Sequence, residues 1–348
     1  MPCGEYFTSY ESRMGLVPWR TQRVALVLGL PLPFLAPFVV GGGGTLTLFT
    51  QMYIFAIAVL GLNVILGYAG EIVLAQGAFM ALGAYTTSQL LGTGVGLLPA
   101  ILLGGVVAAV VAIGFGLPSF RVKGFYIAIS TLALQFITEW FLNNGQFEFI
   151  HGGARQTLPS TPSVVGPLSA IGTDLDIYYL ALVFMLAFAM LSLNLSRTGI
   201  GRMFRAVHEN DLSAAVLGVN VFKNKLMAFG IGGFMIGVSG GLFAFNIGFI
   251  DPQFFTLNLT LEHYVMLLFG GLGRVWGALL GVGVVTLVRD TLQNGLQVAA
   301  EVTGTNATAL VPVFFGVIII VVLVVEPKGV LAALGKVKEY LRKWPFAY

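Results

Sequence analysis

Of 348 residues, 57% are hydrophobic and only 9% are charged, against about 25% charged in a soluble domain. A soluble fold of this length has too little polar side chain to cover so much apolar surface, and the mean hydropathy of +0.91 likewise points to a bilayer. The formal charge of +3 lies in short Lys and Arg clusters, which report membrane topology rather than nucleic-acid binding, and the single Cys3 excludes an intrachain disulfide or thiolate cluster.

A helical crossing takes about 20 apolar residues, with a range of about 17–25. Helices are expected because backbone polar groups in lipid must be satisfied internally. Arg13, Arg20 and Arg23 precede the first apolar run, 24–40. That run lacks a small-x-small cleavage pattern and ends in Gly41–Gly44, so it reads as a crossing and not as a signal peptide. Further crossings are predicted at 46–66, 75–91, 97–117, 124–142, 177–195 and 226–247. Two shorter stretches, 257–270 and 276–290, precede a last one at 308–325. The expected fold is an all-α polytopic bundle of about ten spans, some short or broken.

Lys and Arg orient it. The N-terminal arginines, Arg121 with Lys123, the segment from Arg197 to Lys225, and the tail from Lys328 to Lys343 all belong on the cytoplasmic side. With both termini inside, the number of crossings is even. Counting 257–270 and 276–290 as two spans keeps that parity, and so does reading them as one re-entrant element. The organisation is then a cytoplasmic segment 1–23, a membrane domain 24–326 and a cytoplasmic tail 327–348. An external loop, 143–176, and a cytoplasmic segment, 197–225, belong to the membrane domain.

Segment 197–225 carries the most informative polar stretch. Arg202 to Leu217 can be helical, with Phe204, Val207, Leu212, Ala215 and Val216 as a partial apolar stripe. Asp211 or Ser213 is expected to cap a second short helix that Gly218 ends. Such a helix suits either a docking element for a motor subunit or an interfacial helix on lipid.

Gly67 and Gly70 interrupt the apolar run beside Glu71, and a second interruption, with Gly270 and Gly273, lies beside Arg274. Broken helices present backbone groups to a substrate, whereas glycines also serve close helix packing. Asn63 and Gln76 suit either a path lining or interhelical hydrogen bonds. A charge at mid-bilayer costs about 2.5–3.5 kcal/mol on insertion scales. Glu139, Glu262 and Arg289 are therefore expected near helix ends, solvated at the interface. There is no phosphate-binding loop, so ATP is not expected on this chain. His151, His208 and His263 are too scattered for a metal motif, and no nucleophile–base pair suggests an enzyme.

Four stretches carry a resemblance: GLNVILGYAGEIVLAQGAFMALGAYT (61–86), VKGFYIAISTLALQFI (122–137), TGIGRMFRAVHENDLSAAVLGVNVFKNKLMAF (198–229) and GFIDPQFFTLNLTLEHYVMLLFGGLGRVWGALLG (248–281). Together they resemble the LivM-type permeases of branched-chain amino acid ABC importers. The resemblance implies a bacterial or archaeal inner-membrane subunit that pairs with a second homologous permease. Two ATP-binding subunits would carry the ATP and Mg, and an extracytoplasmic solute-binding protein would deliver leucine, isoleucine or valine. It further implies that 198–222 is the ATPase-coupling region, with Arg202, Arg205, Glu209, Asn210, Asp211, Ala214, Ala215 and Gly218 as its residues. The match to the Glu-Ala-Ala loop of importers is imperfect, because Gly218 follows Ser213-Ala214-Ala215 one residue too closely. Asn63, Gly67, Gly70, Gln76, Gly270 and Gly273 are the translocation-path candidates. The alternatives are a urea or short-amide importer, an ATP-independent channel, or a secondary transporter.

Overall fold

Helices that are apolar around their whole circumference must be covered by protein or lipid on every side, and most of this chain is built from such helices. The computed structural model describes residues 44–120, 126–144, 152–158 and 174–303, with the single positions 33, 34, 37, 316 and 320. Apart from those positions, the predicted crossings 24–40 and 308–325 lie outside the described residues. So do the segments 1–23 and 327–348, Arg121, Lys123 and most of the loop 143–176.

Helix α1 (Gly44–Leu62) runs directly into a π-helical turn, Asn63–Tyr68. Next come α2 (Gln76–Gly92), α3 (Leu97–Ser119), α4 (Tyr126–Asn143), β1 (Gln156–Thr157) and α5 (Asp174–Leu195). Two short helices, α6 (Gly199–Glu209) and α7 (Asp211–Val216), precede the long α8 (Val221–Ile247). Strand β2 (Phe249–Ile250) and a 3-10 turn (Pro252–Phe255) lead into α9 (Leu257–Gly270) and α10 (Val275–Thr303). Among the described residues, five stretches are long and apolar enough to cross a membrane: Gly44–Tyr68, Leu97–Ser119, Asp174–Leu195, Val221–Ile247 and Val275–Gly295. The chain is thus a helical membrane protein.

Burial sorts these stretches into two layers. The α1 and α8 windows are 72% buried, those of α3, α5 and α10 only 39%. Helices α1 and α8 therefore form the centre, with α2, α3 and α5 packed around them. Outward-facing Leu103, Val106 and Val110 of α3, and Val183 and Met190 of α5, suit a lipid or partner-helix environment. Strands β1 and β2 form a short antiparallel ladder, pairing Gln156 with Ile250 and Thr157 with Phe249. The ladder ties the segment after α4 to the turn before α9, and Arg155 reinforces it by pairing with Asp251 at 2.6 Å.

Helix α10 departs from the sequence reading, which ended this crossing at residue 290, because it continues to Thr303. The apolar run does end there, but a fall in hydropathy ends a membrane run and not a helix. Beyond it, Asn294 Nδ2 donates to the Asp290 carboxylate one turn earlier at 3.0 Å, a local pair that supports helix.

Candidate functional site

Between Tyr68 and Gln76 the backbone leaves the helix, and around the fully buried Val73 and Ala75 its polar groups need partners within the protein. Two flanking helices supply them. Thr131 and Gln135 lie one turn apart on α4. Thr131 Oγ1 accepts from Leu74 N at 3.0 Å, and Gln135 Oε1 accepts from Ala78 N at 2.8 Å. Thr260 and Tyr264 lie one turn apart on α9. Thr260 Oγ1 accepts from Gly77 N at 2.9 Å, and the Tyr264 hydroxyl bonds both the N–H and the carbonyl of Val73 at 2.8 Å. Gln135 also donates to Phe255 O at 2.6 Å, joining α4 to the 3-10 turn. The Gly77 and Ala78 amides at the start of α2 are thus already occupied by side chains.

Gln135→Leu would strand both Ala78 N and Phe255 O. Leaving a buried polar group unpaired costs about 1–3 kcal/mol. The variant is expected to melt below the wild type in detergent, and an unchanged midpoint would show that the fully buried Gln135 is dispensable.

The path candidates gather unevenly. Asn63 Oδ1 accepts from Gly273 N at 2.9 Å, drawing the π-helical turn against the α9–α10 turn. A Cβ on Gly67 would lie 2.7 Å from Gly273 N, so these two glycines meet although they are far apart in sequence. Gly70, at φ +78°, lies against His208 of α6. Gly270 packs instead on α10, where a Cβ would come within 2.0 Å of Gly277 O. Gln76 donates to Ala58 O at 3.3 Å. Asn63 Nδ2 and Gln76 Oε1 are buried without a partner among the described residues.

Helices α6 and α7 form beside this junction. Thr198 caps α6, its hydroxyl facing Gly201 N at 3.4 Å. The cap of α7 is Asn210, which accepts from Ser213 N at 3.0 Å. This corrects the expectation of Asp211 or Ser213. Asn210 has the extended backbone that a cap requires, while Asp211 is the first helical residue and its carboxylate is turned to Lys225 of α8 at 2.5 Å. Gly218, at φ +84°, closes the turn after α7. Lys225 also meets Glu71 at 2.7 Å. Burial is the largest influence on the Glu71 carboxyl and raises it above the ordinary carboxylate range, against the opposing hydrogen bond and charge of Lys225. A cavity of about 470 Å³, lined by Gly70, Glu71, His208, Glu209, Asp211 and Lys225 among others, opens here.

Of the other coupling candidates, Arg205 turns back to the carbonyls of Ser196 and Gly201, and Ala214 is buried. Arg202, Glu209 and Ala215 are exposed. The predicted apolar stripe divides. Phe204 and Val207 pack inward, while Leu212 and Val216, with the adjoining Leu217, are 68%, 88% and 80% exposed.

Glu262 and Arg289 correct a second expectation. They pair with each other in the interior of α9 and α10, not at helix ends. Neighbouring His263 is fully buried, its ring 4.9 Å from that of Phe55, midway along Gly44–Tyr68. Each ion therefore has an opposite charge as its partner, and the Arg289 side chain keeps 43% of its surface exposed. Opposite signs in two consecutive short spans were the available sequence signal.

The profile of the family described as "Branched-chain amino acid transport system / permease component" matches residues 44–323. The chain is 29% identical to the high-affinity branched-chain amino acid transport system permease protein LivM of Escherichia coli (strain K12), over 78% of this chain and 69% of that protein. It is 26% identical to the probable branched-chain amino acid transport permease protein LivM of Methanocaldococcus jannaschii, over 70% of each. The autoinducer 2 import system permease protein LsrC of Yersinia pseudotuberculosis (serotype O:1b) is 29% identical over 62% of this chain and 60% of its own length. No solved structure matches the chain.

Proposed function

Since the chain belongs to the family of branched-chain amino acid transport permeases, which are transport subunits and not enzymes, we propose that it moves leucine, isoleucine and valine into the cell as one permease of an ATP-driven importer. The family match across 44–323 carries this reading. In it the chain has about ten spans with both termini cytoplasmic. The Arg and Lys residues around α6 and α7 put these helices on the cytoplasmic side, and the β1–β2 ladder then lies outside, where a solute-binding protein delivers substrate. ATP and Mg sit on two separate motor subunits, and a second permease completes the path.

The exposed Leu212, Val216 and Leu217 support a docking role for α7. Isolated exposed apolar residues are ordinary, but three within six residues, in a segment that also exposes Arg202, Glu209 and Asp211, have the form of a partner contact. In this reading Arg202, Arg205, Glu209, Asn210, Asp211, Ala214, Ala215 and Gly218 form or shape the motor contact. Asn63, Gly67, Gly70, Gln76, Gly270 and Gly273 belong to the translocation path, with Asn63, Gly67 and Gly273 meeting at one junction.

The test is uptake of labelled leucine into proteoliposomes holding both permeases and both motors. Uptake is expected to require ATP at the motors and the binding protein on the opposite face, and to fall when isoleucine or valine competes. Uptake that proceeds without ATP would replace the importer by a channel or secondary transporter. ATP-dependent uptake of urea but not leucine would keep the importer and change its cargo.

A further inference from the structure

We propose that Lys225 is a positioning residue that transmits motor movement from α7 to the non-helical segment ahead of α2. The proposal rests on the importer reading above and adds the link inside this chain through which that reading operates.

The geometry places one cation between two carboxylates that belong to different moving parts. Lys225 lies one turn into the central helix α8. Its ammonium is 2.5 Å from Asp211, the first residue of α7, and 2.7 Å from Glu71, in the non-helical segment. The side chains of Lys225 and Glu71 are only 13% and 11% exposed, whereas that of Asp211 is 46% exposed, so the water-facing end of the bridge is the one beside the proposed motor contact. Glu71 directly follows Gly70, which lies at φ +78° against His208 of α6. The segment is therefore gripped twice, by packing of Gly70 on α6 and by charge at Glu71 from Lys225 of α8.

The residues after Glu71 make the grip consequential. Val73, Leu74, Gly77 and Ala78 hang on side chains of α4 and α9. A displacement of Glu71 is thus delivered to three helices at once. When α7 moves with the motor, Lys225 either follows Asp211 and releases Glu71 or holds Glu71 and loses Asp211. The first change frees the segment, and the second leaves it held, so the balance of the two pairs sets whether motor movement reaches it. Without Lys225, Glu71 and Asp211 would face each other across the cavity as like charges, which disfavours the closed arrangement.

The experiment compares the wild type, Lys225→Gln, and the charge-swapped triple variant Glu71→Lys/Lys225→Glu/Asp211→Lys in the reconstituted complex. Leucine uptake per ATP hydrolysed is read on assembled complex only. Coupling free energies between sites correspond to about 5–150-fold, and Lys225→Gln is expected to lower this ratio by about tenfold, within that range. The triple swap is expected to restore most of it, which assigns the loss to the two ion pairs. A second readout needs no transport. In a Cys3→Ser background, Ile72→Cys, at an exposed position beside Glu71, is labelled by a water-soluble maleimide with and without ATP. ATP is expected to change the labelling rate in the wild type and not in Lys225→Gln.

An unchanged uptake ratio in assembled Lys225→Gln overturns the proposal. So does a triple swap as defective as the single variant, or equal ATP response of the label in both backgrounds. Absence of ATP-dependent uptake by the wild type would instead remove the importer reading. Labelling of the chain alone then decides the link, because faster labelling in Lys225→Gln shows that the lysine holds the segment, and equal rates overturn it.

Discussion

Gly240→Leu is expected to abolish accumulation of the folded permease. A Cβ at this position of α8 would lie 2.0 Å from Met80 O of α2, and 2.7 Å from the carbon of the same carbonyl. These are backbone atoms and cannot rotate aside. The contact is reciprocal, since a Cβ on Gly83 of α2 would lie 2.0 Å from Gly237 O of α8. The two helices therefore touch backbone to backbone, as small residues permit in membrane bundles. Overpacking a core with methylenes commonly costs about 1–3 kcal/mol when side chains can adjust. Here the whole of α2 must separate from α8, and the total stability of a folded domain is only about 5–15 kcal/mol. The measurement is the yield of monodisperse protein in detergent, with its melting midpoint. Gly114→Leu is the control, because Gly114 of α3 is exposed and a Cβ there meets nothing within 4 Å. Normal yield and melting of Gly240→Leu would disprove this packing.

Arg289→Gln is expected to destabilise the protein far more than the double change Glu262→Gln/Arg289→Gln. The single change leaves the Glu262 carboxylate, whose side chain is 14% exposed, without its partner. Removing one member of a buried pair is strongly destabilising because the other charge stays behind uncompensated, whereas replacing both is often near neutral. The side chain of Arg289 is 43% exposed, so the expected loss is about 2 kcal/mol, between the figures for exposed and buried pairs. The double variant should recover most of it. Unfolding free energies of the wild type, both single variants and the double variant form a cycle. A coupling term near zero would mean that the two ions are stabilised separately.

Both expectations concern contacts that run across the chain, and this is where sequence reading stopped. The predicted crossings from 46 to 290 coincide with helices to within a few residues, except at the far end of α10. The broken run at Gly67 and Gly70 was also legible, since glycines beside an acidic residue interrupt an otherwise apolar stretch. Its partners were not. Leu74 N finds Thr131 at a separation of 57 residues, Gly77 N finds Thr260 at 183, and Asn63 finds Gly273 at 210. Threonine and glutamine within apolar helices carry no mark of the amide they will serve. Lys225 read only as one more cytoplasmic positive charge, and nothing in its neighbourhood of the sequence pointed to Glu71.

The sequence by itself determined the solvent, the helical class, the order of the described crossings and the membrane face expected for each charged cluster. These arise from transfer free energies, which each residue contributes locally and which add along a segment of about 20 residues. Only the tertiary structure decided that α8 packs backbone to backbone on α2. It alone also joined Glu262 to Arg289, and brought Glu71 and Asp211 to a single lysine. Those choices depend on how helices far apart in the chain pack, and a hydrogen bond or ion pair reports the distance between two atoms rather than the hydropathy of either.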